Sequence, residues 1–194
     1  MLELLSPAGS MEALRAAVQN GANAVYLGVG NLNARQSAKN FTPQTLVDAV
    51  KYCHVRGVDV HLTLNTLVSD REMKEAAELI RHAAQYNIDA FIVQDLGVVQ
   101  LCRQIAPHIP IHGSTQMTVH SLPGVQLCAA MGMKRVVLSR ELSREEIRYI
   151  CANSPIEIEV FAHGALCMSY SGQCYLSAAI GGRSGNRGRC AQPC

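Results

Sequence analysis

The feature that most constrains this chain is an alternation that runs through most of its 194 residues. Short apolar segments and stretches of helical periodicity follow one another in turn. The strand-like segments fall at 2–5, 24–27, 58–64, 90–93, 110–112, 135–138 and 156–161. Most are apolar on both faces, as strands buried in a parallel sheet should be. Two alternate instead: Val58-Asp59-Val60-His61-Leu62 and Ile156-Glu157-Ile158-Glu159-Val160. In a closed sheet their polar residues are expected to point inward or towards the mouth.

The segments between carry helix punctuation. Ser10 is placed to cap a helix running to Asn20 and stopping at Gly21. Thr42-Pro43 reads as an N-cap followed by Pro at the first helical position, where its missing N–H does no harm. That helix is expected to bury Leu46, Val47, Val50 and Cys53 and to stop at Gly57. Ser69-x-x-Glu72 and Ser143-x-x-Glu146 have the form of capping boxes. A stripe of Met73, Ala76, Ala77, Ile80, Ala83 and Ala84 follows the first.

Seven strands and six intervening helices predict an α/β fold of the parallel TIM-like (β/α)8 barrel type. The rival is a doubly wound open sheet. No Gly-x-Gly-x-x-Gly turn follows the first strand, which weakens its dinucleotide-binding form. The count is one strand short, and a complete barrel usually needs about 250 residues. The chain is therefore expected to be a truncated part of a longer protein. Residues 1–162 are expected to form the barrel core. Residues 163–194 are expected to be a cysteine-rich segment that completes the barrel mouth.

Hydrophobic residues make up 48% and charged residues 16%, a globular balance. Trp is absent, so the core must be built from Leu, Ile, Val, Ala and Met. A net charge of +2 does not announce a nucleic-acid binder, and no apolar run approaches a membrane span. The opening Met-Leu-Glu3 lacks the basic start of a secretory signal, so a cytoplasmic protein is expected. Nothing in the sequence specifies an oligomer. Eight cysteines in such a chain point to metal binding or redox work rather than disulfides.

The cysteines form two groups. Cys53, Cys102, Cys128 and Cys151 lie in helical segments among apolar neighbours and read as small buried hydrophobes. Cys167, Cys174, Cys190 and Cys194 are spaced C-x6-C-x15-C-x3-C in a Gly-, Ser- and Arg-rich stretch. Thiolates suit zinc and iron–sulfur clusters. The spacing matches neither the common zinc-ribbon pairs nor the bacterial ferredoxin run. From Val160 to Cys194 there is no Asp or Glu, while Arg183, Arg187 and Arg189 are present. Such a stretch is suited to offset the negative charge of a thiolate-bound cluster.

The segment Glu159-Val-Phe-Ala-His163-Gly-Ala-Leu-Cys167-Met-Ser-Tyr-Ser-Gly-Gln-Cys174-Tyr-Leu-Ser177 closely resembles the diagnostic motif of the peptidase U-32, or collagenase-like, family. Gly185-Asn186-Arg187-Gly188-Arg189-Cys190-Ala-Gln-Pro-Cys194 is similar to that family's next block. Glu3-Leu-Leu-Ser-Pro-Ala-Gly9, Ala24-Val-Tyr-Leu-Gly28, Thr63-Leu-Asn65 and Ser114-Thr-Gln116 resemble its strand-end motifs. The resemblance covers the whole chain. It implies two chemistries that disagree. The family is named for peptidases, yet members act in oxygen-independent hydroxylation of a pyrimidine in tRNA or rRNA, or in ubiquinone synthesis. Those members are linked to a 4Fe-4S cluster and to prephenate. The resemblance carries Cys167, Cys174 and Cys190 over as cluster ligands. Cys194 is the fourth in one family pattern; in others the fourth cysteine lies further along.

The sequence offers little for proteolysis. It has no His-Glu-x-x-His and no Gly-x-Ser-x-Gly. A His163–Cys167 pair would be needed, and it would leave three cysteines unexplained. Active sites of barrels lie at the C-terminal ends of the strands. That gathers Tyr26, Asn65, Gln94, Asp95, Ser114, Gln116, Glu159 and His163 at one mouth, with His112 a weaker candidate. Glu159, His163, Tyr26, Asn65 and Gln116 are the catalytic candidates. Ser114, Asp95, Arg183, Asn186 and Arg187 are the substrate-binding candidates. His54, His82 and His108 read as helix or loop histidines. The arginines suit an anionic partner, and both RNA and a small dicarboxylate are anionic. Cluster-dependent hydroxylation of a nucleobase, with the barrel mouth holding a small oxygen donor, is the leading expectation. A peptidase and a non-catalytic metal module are the alternatives.

Overall fold

A computed structural model describes residues 2–34 and 40–194. Seven strands lie side by side in chain order, each parallel to the next. They are β1 (Leu5–Pro7), β2 (Ala24–Gly28), β3 (Asp59–Leu64), β4 (Ala90–Val93), β5 (Ile111–Gly113), β6 (Arg135–Val137) and β7 (Glu157–Glu159). Between them run α1 (Met11–Gln19), α2 (Pro43–His54), α3 (Met73–Gln85), α4 (Leu96–Ile105), α5 (Leu122–Ala130) and α6 (Arg144–Asn153). A six-residue helix, α7 (Leu176–Gly181), follows β7. The order is that of a TIM-like barrel with seven strands, not of a doubly wound sheet, whose strand order reverses. The sheet curls far enough for Arg135 on β6 to reach Glu3, just before β1, at 2.6 and 2.8 Å.

Alternation along the strands sorts the two faces. Val60, Leu62 and Leu64 of β3 join the core beneath the helices, with Leu46 and Cys53 of α2 and Ile80 of α3. Each such large side chain contributes about 1.5–3 kcal/mol by leaving water. The intervening His61, Thr63 and Asn65 face the barrel interior. The helix starts follow the sequence closely. Ser10 Oγ accepts from the Ala13 N–H, Thr42 and Thr45 form a reciprocal capping box, and Ser143 and Glu146 form another.

Four expectations need correction. β1 lies at Leu5–Pro7 rather than 2–5, with Leu2 and Leu4 exposed at the rim. β7 stops at Glu159, and Val160 and Phe161 are exposed, because β7 ends the sheet and no further strand covers it among the described residues. The Ser69–Glu72 capping box does not cap α3. Glu72 accepts from Ser69 N–H and Oγ, but the helix starts after it and its carboxylate turns to Arg187. Cys151 is exposed on α6, whereas Cys53, Cys102 and Cys128 are buried as expected. No helix among the described residues is long and apolar enough to cross a membrane.

Candidate functional site at the barrel mouth

TIM barrels usually fill their interior with bulky branched side chains. Here the inner wall is polar, and it has two levels. At the lower level, near the strand starts, Arg135 bonds Glu3 and Glu157 and lies 3.5 Å from Glu159 Oε2. His61 and His112 meet edge to face with ring centroids 4.9 Å apart. Burial pushes His61 down to about 4 and His112 down to about 3, so both rings are neutral at ordinary pH. Burial pushes the Glu159 carboxyl up, and Arg135 only partly opposes this. The Arg135 hydrogen bond holds Glu3 below the usual carboxylate range.

At the upper level, strand ends supply neutral groups. Ser114 caps a 3-10 turn at Thr115–Met117, with its Oγ accepting from the Gln116 N–H. Asn65 accepts from the Ala34 N–H at 2.9 Å and reaches Ser114 Oγ at 3.5 Å. Gln94 donates to the Gln116 carbonyl at 3.2 Å. Tyr26, expected at the mouth, instead lies half-buried in the middle of β2, in register with Pro7 and with His61 of the lower level. Asp95 has a scaffold role. Its carboxylate caps α4 through Gly97 and Val98 and also accepts from the Val68 N–H.

The cysteine segment folds back over this mouth. Ser171, 1% exposed, is gripped on several sides. Its N–H and Oγ both donate to Glu141 Oε1, at 2.7 and 2.9 Å, and its carbonyl accepts from Thr118 at 2.8 Å. His120 faces the other Glu141 oxygen at 3.3 Å. Gly172 adopts φ +77° so close to the Gln116 carbonyl that a Cβ would lie 2.5 Å from it, so only glycine fits. Further on, Asn186 donates to the Gly172 carbonyl, and Arg183 donates to the Arg189 carbonyl. Arg187 pairs with Glu72 at 2.7 and 3.0 Å, so it is a strap rather than a free cation. His163 is exposed on the loop after β7.

The strap has a pH signature. Bonds from Arg187 and Ser69 hold the Glu72 carboxyl down at about 2. A depressed acid stabilises the fold above its ordinary value near 4.5, and that contribution is lost as pH falls towards 2. Glu72→Gln should loosen the turn in which Arg187 and Arg189 donate to the Ser184 carbonyl. Amide exchange there should quicken by about two- to fivefold, the scale of a part-exposed ion pair. Unchanged protection of those amides would show that the strap holds nothing.

The tail cysteines are all free, with Cys167, Cys190 and Cys194 exposed and Cys174 partly so. Gly185 bridges two of them. A Cβ added there would lie 3.7 Å from that of Cys190 and 3.9 Å from the Cys174 carbonyl. Cys190 Sγ already accepts the Gln192 N–H at 3.3 Å, the kind of contact that supports a ligating thiolate. As a donor set these residues fit a thiolate-held group. No three His, Cys, Asp or Glu side chains converge to hold a metal among the described residues. Cys53 and Cys102 are a different class, since burial pushes their thiols up to about 11 and about 12. Arg135, His61, Thr118 and Glu141 were not among the expected site residues. Only His61 carried a signal, in the alternation of β3.

The sequence profile of peptidase family U32 matches residues 9–194. The chain belongs to peptidase family U32. Among curated proteins, it is 42% identical to a 23S rRNA 5-hydroxycytidine synthase of Escherichia coli, across all of this chain and 29% of that protein. It is also 42% identical to a tRNA hydroxylation protein of Helicobacter pylori, across all of this chain and 46% of that protein. It thus spans less than half the length of either relative. A solved U32 peptidase superposes with a TM-score of 0.70 at 15% identity, over 82% of this chain and 68% of that one, a likeness of fold.

Proposed function

We propose that this chain is the barrel and cysteine segment of a U32 enzyme that hydroxylates a pyrimidine in tRNA or rRNA. In this reading Cys167, Cys174 and Cys190 hold a 4Fe-4S cluster, with Cys194 as the fourth ligand, and prephenate is the oxygen donor. One observation carries the proposal. A carboxylate-free segment with four accessible thiols is tied across the mouth of a barrel whose strand ends, above the buried Arg135 ion-pair layer, present neutral hydrogen-bonding groups. The hydroxylation named for both relatives supports it. When bound, such a cluster would supply one-electron transfer.

The chain's own residues have definite tasks. Glu141 and Thr118 fix Ser171 between Cys167 and Cys174. The Glu72–Arg187 pair fixes the turn before Cys190. Glu159, with its raised pKa, is suited to pass a proton inside the barrel. The peptidase reading has less support, since His163 and Cys167 are both exposed.

The test is to purify the full-length protein anaerobically, assay iron and acid-labile sulfide, and digest RNA from cells with and without its gene for nucleoside mass spectrometry. Iron and sulfide at about four each per chain, and a hydroxypyrimidine that vanishes with the gene, are expected. Zinc without sulfide would instead support a structural metal module. Peptide cleavage by metal-free protein would return the peptidase reading.

A further inference from the structure

The cysteine segment is polar inside and apolar outside. Ser171 and Ser177 are buried, at 1% and 4% exposure. Phe161, Leu166, Met168, Tyr170, Tyr175 and Ile180 are all exposed, Leu166 and Met168 at 81% and 88%. Eight of the fifteen large hydrophobic side chains exposed among the described residues fall between positions 160 and 180. Scattered single hydrophobics are ordinary on a protein surface, but such a concentration marks an interaction site. The short helix α7 repeats the inversion. Leu176 and Ile180, four positions apart and so on one face, are exposed, while Ser177 is buried. A surface helix normally turns its apolar face to the core. Phe161 lies two residues past β7, whose outer edge has no partner strand among the described residues.

The charge on this face is largely spent within the protein. Residues 160–194 hold no Asp or Glu. Of the arginines on or against the segment, Arg187 is paired with Glu72 and Arg183 donates to the Arg189 carbonyl. Arg140 donates to Ser171 Oγ and to the Ala165 carbonyl and lies over the Phe161 ring at 5.8 Å. That leaves Arg189 as the arginine of the segment whose side chain has no partner among the described residues. A polyanion is gripped by several free cations together. An apolar face with one free arginine suits an apolar protein partner instead.

A partner is at hand. More than half of each hydroxylation relative lies outside the part that this chain matches. A tethered partner acts at an effective concentration of roughly millimolar order, far above that of a free second copy. We infer that this face docks the part of the full-length protein outside residues 1–194, as an apolar interface within one molecule. The docked part covers α7 and the loop around Cys167, which lies between Leu166 and Met168. It thereby closes the exposed thiols off from solvent. Such an interface is independent of which reaction the site performs.

The test is photo-activated carbene footprinting of the full-length protein, read by mass spectrometry. The molecule supplies its own references. Tyr149, on α6 and outside the segment, is 61% exposed against 65% for Tyr170 and 63% for Tyr175, and Met133 is buried. Tyr170 and Tyr175 are expected to label about fivefold more slowly than Tyr149, as side chains in an interface core would. Met168 should label nearly as slowly as Met133, and the pattern should not change with protein concentration. Ile180→Asp, on the outward face of α7, should return Tyr175 to the Tyr149 rate, with Met133 still protected as a sign that the barrel is folded. Equal labelling of the three tyrosines in the unaltered protein would overturn the inference, and that comparison needs no variant to fold. Protection that grows with protein concentration would assign the face to a second copy, and protection that appears only with added RNA would assign it to RNA. Either result would overturn docking within one molecule, as would protection of Tyr175 that survives Ile180→Asp.

Discussion

Replacing any one of Cys167, Cys174 or Cys190 by Ala in the anaerobically purified full-length protein is expected to abolish the iron–sulfur absorbance. Cys53→Ala and Cys128→Ala should leave iron content unchanged. A ligating cysteine must shed its proton and reach the metal. Burial works against both for the core thiols, pushing Cys53 up to about 11 and raising Cys128. The tail thiols are accessible, lie in a segment without carboxylates, and include Cys190, whose sulfur already accepts a backbone N–H. Cys194 separates two versions of the site. If its loss also removes the absorbance, it is the fourth ligand. If it alone is dispensable, the fourth ligand is supplied from outside residues 167–190. Iron retained in each of the three single variants would end the cluster proposal, and iron lost from Cys128→Ala would show that the two groups were divided wrongly.

The barrel was legible because its signals are local. β4 is four apolar residues, all buried, and its bounds match the reading from sequence. Ser10, Thr42 and Ser143 sit beside the helix starts they cap. Where the reading slipped, the cause was tertiary. Val160 and Phe161 look like strand but have no neighbouring strand to pair with. Glu72 looks like half of a capping box but is drawn to an arginine 115 residues away.

The same division runs through the site. Asn65, Ser114, Gln116 and Glu159 could be named because each lies at or just beyond the end of a strand, and the barrel rule then gathers them. The residues that hold the tail could not. Glu141 meets Ser171 across 30 positions, and Thr118 meets it across 53. Neither carries a motif, and both look like ordinary loop residues. Arg183, Asn186 and Arg187 stand out in the sequence only by charge and polarity, and the structure gives all three partners within the protein. In this chain charge in a glycine-rich stretch marks how the tail is fastened.

Arg135→Met should be the most damaging single change in the barrel, costing about 3 kcal/mol, the lower end of the range for breaking a buried ion pair. The Arg135 side chain is 13% exposed, while Glu3 and Glu157 keep partial access to water, which argues for that lower end. In a domain of this size the loss corresponds to a fall in Tm of roughly 6–12 °C. The pH dependence distinguishes lost charge from lost packing. Glu3 is held below its ordinary value near 4.5, so its contribution is present above that value and disappears as pH falls through the depressed one. Glu159 is raised by burial, and losing Arg135 would raise it further. A raised acid costs stability as pH climbs from 4.5 through its folded value. Both effects make the gap between parent and variant widen from about pH 4 to pH 7. Adding Glu3→Gln to Arg135→Met should then recover part of the loss, because one stranded carboxylate is gone. A gap of equal size at both pH values, with no recovery in the double variant, would mean that Arg135 acts by filling space rather than by holding three carboxylates inside the barrel.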